Sequence, residues 1–151
     1  PTYGHLDLIQ RALRLFDYLV VAVARNDSKM TPLFDIEERL EMLRELTRPF
    51  PQVEVTSFDG LTADYARKRN ITHLVRGLRA ISDYEFEFSL AIINQRLNPD
   101  VDTVCLMPSE PYLFLSSRWV RELARHGGEL SQFVPPYVEE KLRSHFSKND
   151  V

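Results

Sequence analysis

Four short runs rich in β-branched residues are separated by stretches with helical periodicity, and this alternation leaves the chain few architectures. Tyr18 to Ala24 is a continuous apolar run of the kind found in strands buried on both faces of a parallel sheet. Val53 to Phe58, Ile71 to Val75 and Val101 to Met107 repeat it. Between the first two, Asp35 and Glu38 have capping-box spacing, and Ile36, Leu40, Leu43 and Leu46 form an apolar stripe. Leu61 to Asn70 reads as a short helix with Asn70 as a left-handed cap. Ser82 or Asp83 opens a longer helix through Tyr84, Phe88, Ala91, Ile92 and Gln95, which Pro99 ends. Strands and helices in this order predict an α/β fold, a Rossmann-like doubly wound parallel sheet with right-handed crossovers.

The 151 residues, 44% apolar and 27% charged, suit one domain spanning 1–151. Its last helix runs from 136 to 147, opened by Pro135-Pro136 and carrying Val138, Leu142 and Phe146 on its apolar face. A formal charge of −3 weighs against a nucleic-acid partner, because duplex binders neutralise many phosphates with a basic surface. The rival DNA-binding reading rests on Trp119 to Val134, two helical stretches about Gly127-Gly128. Cys105 is the only cysteine, so neither a disulfide framework nor a cysteine metal site is expected, and no His/Asp/Cys spacing suggests zinc. With no membrane-length apolar stretch and no signal-peptide pattern, the expectation is a cytoplasmic protein with no membrane partner.

Candidate chemistry begins at Thr2-Tyr3-Gly4-His5, which runs directly into a helix whose apolar face is Leu6, Ile9, Ala12, Leu13 and Phe16. Amides at a helix N-terminus attract anions, Gly4 lets the backbone turn tightly with no Cβ in the way, and His5 supplies a ring N–H for a phosphoryl oxygen. Taken alone, His5 reads equally well as a capping or half-buried histidine. A phosphate-holding helix start in such a fold is normally fed by a strand, and only four residues precede His5. The expectation is therefore that the first strand lies upstream of Pro1.

Ligands of doubly wound sheets gather where strands end. Four stretches meet that description: Thr2 to His5, the loop with Lys29, Arg76 to Arg79, and Tyr112 to Arg121. Together they offer a histidine, a lysine, several arginines, the paired hydroxyls of Ser116 and Ser117, and backbone amides, an inventory suited to polyphosphate. Each also has a plainer reading. Lys29 fits a solvated loop charge, Arg76 and Arg79 fit ion-pair partners of Asp83 and Glu85, and a serine at 116 or 117 fits an N-cap. Glu85 and Glu87 stand two apart on a helix and face different ways, so they make a poor acid/base pair.

Thr2-x-Gly4-His5, Val75-Arg76-Gly77-Leu78-Arg79-Ala80, Asp83-Tyr84-Glu85-Phe86-Glu87 and Leu115-Ser116-Ser117-Arg118-Trp119-Val120-Arg121-Glu122 together resemble the bacterial phosphopantetheine adenylyltransferases of the nucleotidyltransferase superfamily. The resemblance runs from the first residue to about Pro136. It implies transfer of adenylyl from ATP to 4′-phosphopantetheine, with Mg2+ accompanying the ATP, giving dephospho-CoA and pyrophosphate by direct in-line attack. It implies His5 as the catalytic residue, stabilising the transition state at the α-phosphate. Gly77, Leu78, Arg79 and Glu87 would join His5 in binding ATP, as would Tyr112, Leu113, Phe114, Leu115, Ser116, Ser117 and Arg118. Lys29, Thr62 and Arg76 would bind 4′-phosphopantetheine, and no residue is assigned to a metal. A homohexamer inhibited by coenzyme A is implied as well. The family's upstream Gly-Thr-Phe-Asp-Pro segment is absent, Leu115 replaces an isoleucine, and Arg118 and Trp119 stand where smaller residues are common. Related enzymes that adenylylate nicotinamide mononucleotide or transfer to a sugar-alcohol phosphate form the second enzyme reading, and Arg76 to Arg79 favours phosphopantetheine.

Overall fold

The computed structural model describes residues 1–25 and 32–147, the side chain of Ser82 excepted. The helices are α1 (Tyr3–Ala12), α2 (Ile36–Thr47), α3 (Thr62–Lys68), α4 (Ile81–Leu97), α5 (Ser117–Arg125) and α6 (Pro136–Ser147). The strands are β1 (Leu19–Ala24), β2 (Val53–Phe58), β3 (His73–Gly77) and β4 (Asp102–Leu106). All pairing is parallel. β1 pairs with β2, Leu19 opposite Val53, and β3 pairs with β4, His73 opposite Asp102.

The fold is the expected α/β arrangement with one difference: the four strands form two two-stranded sheets rather than one. A cleft of about 850 Å³ separates them, lined by Leu19 to Ala24 on one side and His73 to Arg76 on the other. Leu8, Ile9 and Ala12 of α1 and Phe58 of β2 help to line it. Among the described residues, β1 and β3 each have a hydrogen-bonded strand on one side only.

Local chemistry accounts for most element boundaries. The capping box of α2 forms as its spacing predicts: the Glu38 amide donates to Asp35 Oδ1 at 2.8 Å and the Asp35 amide to Glu38 Oε2 at 3.0 Å. Leu40, Leu43 and Leu46 of its stripe are buried, and so is Met42. Asn70 takes φ 52° after α3, as a left-handed cap. The Ile71 amide then bonds back to the Ala66 carbonyl at 2.9 Å, which holds Ile71 against α3 and starts β3 at His73, two residues later than expected. The helix α1 is shorter than its pattern suggested, because at Leu13 to Leu15 the bonds tighten to Arg14 N–H on the Arg11 carbonyl and Leu15 N–H on the Ala12 carbonyl.

Two clusters make the core. One joins Met42 of α2 to Val120, Ala124, Leu130, Val134, Val138 and Leu142 around α5 and α6, and the other joins Val23 of β1 to Leu40 and Leu43. The chain beyond α5 is tied to the first helix directly: the Tyr3 amide donates to the Phe133 carbonyl at 2.9 Å. That bond satisfies one of the helix-opening amides of α1 inside the protein.

Candidate active site

His5 is the third residue of α1, with Thr2 as the N-cap. The Thr2 amide donates to His5 Nδ1 at 3.0 Å, and the Thr2 hydroxyl lies 2.9 Å from the same nitrogen. An N–H donor on Nδ1 requires that nitrogen to be bare, so the neutral ring carries its proton on Nε2. The ring keeps a solvent-exposed edge while protein packs round the rest of it, and it lines the cleft. Enclosure by the surrounding protein, with the Arg79 guanidinium adding to it, pushes its pKa from the usual 6.5 down to about 4. At neutral pH this is an uncharged hydrogen-bond donor.

Gly4 serves in a different way from the tight turn that its position suggested. It lies inside α1, outside the left-handed region, and its open side faces the loop after β4. A Cβ there would meet Leu115 Cδ2 at 3.7 Å and Tyr112 Cβ at 3.8 Å. Gly77 makes the tighter approach, since a Cβ would come within 3.3 Å of Leu8 Cδ2. Gly77 therefore lets the end of β3 press against α1.

The stretch 76–79 is held from two sides. Arg76 makes a two-pronged bond to Glu87, Nε to Oε2 at 2.6 Å and Nη2 to Oε1 at 2.8 Å, and this contact raises the arginine pKa despite the opposing desolvation. Arg79 donates through Nε to Asp83 at 3.2 Å and through Nη1 to the Leu115 carbonyl at 3.0 Å. Asp83 also accepts the Arg79 amide at 3.1 Å. Asp83 is thus a brace for the preceding loop rather than the N-cap expected of it; the backbone cap of α4 is Ala80. The partner of Arg76 is Glu87, not Glu85, two residues further along α4.

Ser116 caps α5, its hydroxyl accepting the Trp119 amide at 3.2 Å. Ser117 opens the helix and lines the same cleft as His5, Thr62 and Arg76. The structure therefore brings together His5, Thr62, Arg76 and Ser117, with Arg79 joined through Leu115, Glu87 through Arg76, and Tyr112 and Leu115 through their packing on Gly4. Leu78 extends the ladder, its amide bonding to the Leu106 carbonyl at 3.0 Å. Leu113, Phe114 and Arg118 do not line the cleft, and Phe114 is 91% exposed. Lys29 lies outside the described residues. Among the described residues, no three His, Cys, Asp or Glu side chains gather as a metal site.

Sequence reading missed one cluster at this rim. Asp7 and Arg11 of α1 bond to Ser109, a residue about a hundred positions away that no local pattern links to them.

A two-half parallel α/β scaffold with a neutral histidine, arginines and a serine-capped helix start on one cleft describes a nucleotide-handling enzyme. A family model described as cytidylyltransferase-like matches residues 1–123. The phosphopantetheine adenylyltransferase of Caldanaerobacter subterraneus subsp. tengcongensis is 51% identical over 148 residues, 98% of this chain and 92% of that protein. The protein of that name from Carboxydothermus hydrogenoformans is 52% identical over 147 residues, 97% of this chain and 90% of that protein. The chain belongs to the cytidylyltransferase-like nucleotidyltransferases and, within them, to the phosphopantetheine adenylyltransferases. Among the described residues, no helix is long and apolar enough to cross a membrane.

Proposed function

We propose that this chain transfers the adenylyl group of ATP to 4′-phosphopantetheine, forming dephospho-CoA and releasing pyrophosphate in the cytoplasm. Beyond the family itself, one observation carries this reading: Thr2 occupies His5 Nδ1, which leaves the ring proton on Nε2, and His5 lines a cleft that Arg76 and Ser117 also line.

The reaction needs little covalent help. A phosphate oxygen of 4′-phosphopantetheine attacks the α-phosphorus in line; the new P–O bond forms as the bond to the β-phosphate oxygen breaks, and pyrophosphate carries away that electron pair. The acceptor phosphate is already anionic at neutral pH, so positioning and charge neutralisation supply the catalysis. His5 Nε2–H donates to the α-phosphoryl oxygens. Arg76 spends Nε and one Nη2 hydrogen on Glu87 and keeps its Nη1 donors for the 4′-phosphopantetheine phosphate, a substrate that Lys29 and Thr62 would also bind. Gly77, Leu78, Arg79, Glu87 and the run Tyr112 to Arg118 bind ATP, with Ser116 and Ser117 near its distal phosphates. Mg2+ accompanying ATP would offset part of the phosphate charge, and the chain's own contribution to that neutralisation would come from His5, Arg76 and Arg79.

Two finer readings accompany this one. A homohexamer inhibited by coenzyme A, which shares the phosphopantetheine moiety, fits the exposed apolar residues of α4: Ile81, Tyr84, Phe86, Phe88, Ile92, Ile93 and Leu97. One more parallel strand would fill the length of the cleft along Leu19 to Ala24 and His73 to Val75, whose facing edges have no hydrogen-bonded strand among the described residues, and would leave the ligands the end at His5, Arg76 and Ser117. A longer chain carrying that strand should show amide protection along β1 and β3 that the 151-residue chain lacks.

The deciding experiment incubates the purified protein with MgATP and 4′-phosphopantetheine and measures dephospho-CoA by mass spectrometry. Stoichiometric dephospho-CoA and pyrophosphate are expected. Pyrophosphate release with nicotinamide mononucleotide, and none with 4′-phosphopantetheine, would overturn the assignment.

A further inference from the structure

Asp7 stands two residues after His5 on α1, and its carboxylate is occupied on both oxygens. Oδ2 accepts the Ser109 amide at 2.8 Å, Oδ1 accepts the Ser109 hydroxyl at 2.6 Å, and Arg11 Nε donates to both oxygens at 3.2 and 3.4 Å. Arg11 Nη2 donates to Ser109 Oγ at 2.8 Å, so that hydroxyl gives one bond and takes another. The Asp7 side chain is only 13% exposed. Desolvation pushes its pKa up, yet the bonds from the Ser109 hydroxyl and amide and from Arg11 together hold it below the ordinary carboxylate value.

The placement of this clamp gives it a consequence beyond stability. Ser109 immediately precedes a single 3-10 turn, Glu110–Tyr112, and opens the loop that reaches Ser116 and the start of α5. The other end of the clamp is the helix that carries His5. Between the two, Gly4 contributes only van der Waals space to Tyr112 and Leu115. The angle between the imidazole and the α5 N-terminus is thus fixed by charge-assisted bonds at Asp7 and by the Arg79 bond to Leu115.

We infer that Asp7 is a positioning residue for adenylyl transfer: through Ser109 it holds residues 110–117 against α1, so that His5 and the α5 N-terminus address one polyphosphate chain. This rests on the adenylyl-transfer reading above. Asp7→Asn is the informative change because it keeps the volume and removes the charge. With its oxygen on the Ser109 amide, the new NH2 cannot accept from the Ser109 hydroxyl or from Arg11 Nε, so the bonds to Oδ1 and the charge that strengthens the clamp are lost.

The test compares steady-state kinetics of the wild-type chain with D7N, S109A, S109T and D7N/S109A, each assayed well below its melting temperature. For D7N, kcat/KM for ATP should fall on the order of tenfold to a hundredfold, as for a misplaced reacting group, while KM for 4′-phosphopantetheine stays within about twofold. S109A should show the same split to a smaller degree, S109T should restore the wild-type values, and the double variant should be no worse than D7N, because both changes break one device. If D7N does not fold, S109A and S109T carry the test. Unchanged kinetics, or a lower kcat with both KM values untouched and a parallel loss of folded protein, would overturn the inference. A wild-type chain that makes no dephospho-CoA refutes the enzymatic reading instead. ATP binding by calorimetry then decides the clamp: weaker binding by D7N sustains it, and equal or absent binding in both proteins defeats it.

Discussion

The half built on β1, β2 and α2 and the half built on β3, β4 and α4 have the same strand, helix, strand order, yet their helices meet the surroundings differently. The helix α2 buries a stripe, with Leu40, Met42, Leu43 and Leu46 covered by β1 and by α6, and turns its charges outward. The helix α4 carries apolar side chains all round, leaving Ile81 90% and Phe86 65% exposed. It also supplies Asp83 and Glu87, which brace Arg79 and Arg76. Among the described residues the helix of the first half is covered by its own chain. The helix of the second leaves apolar surface uncovered and braces Arg76 and Arg79, so destabilising changes are expected mainly in the first half and functional changes mainly in the second and in α1.

The largest expected effect lies in α1. His5→Ala should lower kcat by about two to three orders of magnitude, the range seen when one preorganised donor to a developing charge is lost, while KM for ATP changes little. The melting temperature should move much less than the rate. A variant of near-normal turnover would remove α1 from the chemistry and leave the second half to carry it alone.

The two helices are set directly against each other by truncation. Met42 is 1% exposed within the larger core cluster, and Met42→Ala should cost about 2–5 kcal/mol in chemical denaturation through lost burial and a residual cavity. Phe86→Ala, on the exposed face of α4, should change the intrinsic stability of the folded unit by less than about 0.5 kcal/mol and instead lower the sedimentation mass. Equal losses of stability would mean that α4 is part of the core and would erase the contrast.

Capping gives a smaller and more local measure. Asp35→Ala removes the acceptor for the Glu38 amide and breaks the reciprocal box of α2, at a cost of about 1 kcal/mol with kinetics unchanged. Ser116→Ala should cost about the same in stability and in addition weaken ATP binding, since the same N-terminus faces the site. A purely structural outcome at both caps would take Ser116 out of the phosphate cradle.

What was legible in the sequence follows the same division. The capping box at Asp35, the left-handed Asn70 and the serine cap of α5 are set by neighbours within three or four positions, and they formed as read. His5, Arg76 and Ser117, from stretches that the sequence singles out, line one cleft, and so does Thr62, which only the family resemblance supplies. The partnerships that sequence reading missed are tertiary. Arg76 finds Glu87 across the turn into α4, and Asp7 meets Ser109 through a fold that no local spacing encodes, whereas the Arg79–Asp83 pair is one that the sequence offers, although Asp83 does not cap α4. The late start of β3 has a similar cause, a single backbone bond from Ile71 to Ala66.

The smallest expected effect is an absence of change, and it separates a neutral donor from a proton shuttle at His5. Its pKa is lowered to about 4, so between pH 8 and pH 5 the folded imidazole stays uncharged and keeps Nε2–H available. The kcat profile should therefore carry no inflection near the ordinary histidine value of about 6.5. The sign for stability is opposite to that of a histidine gaining a carboxylate partner. Because the folded pKa is depressed, the unfolded chain takes up the proton first, and the contribution of His5 to stability declines as pH falls from about 6.5 towards 4. Replacing His5 with Gln, which retains a donor but cannot titrate, should flatten that part of the stability curve. If the wild-type kcat instead fell as protonation set in near 6.5, the ring would be charging in the working enzyme, and the bond from the Thr2 amide to Nδ1 could not persist through turnover.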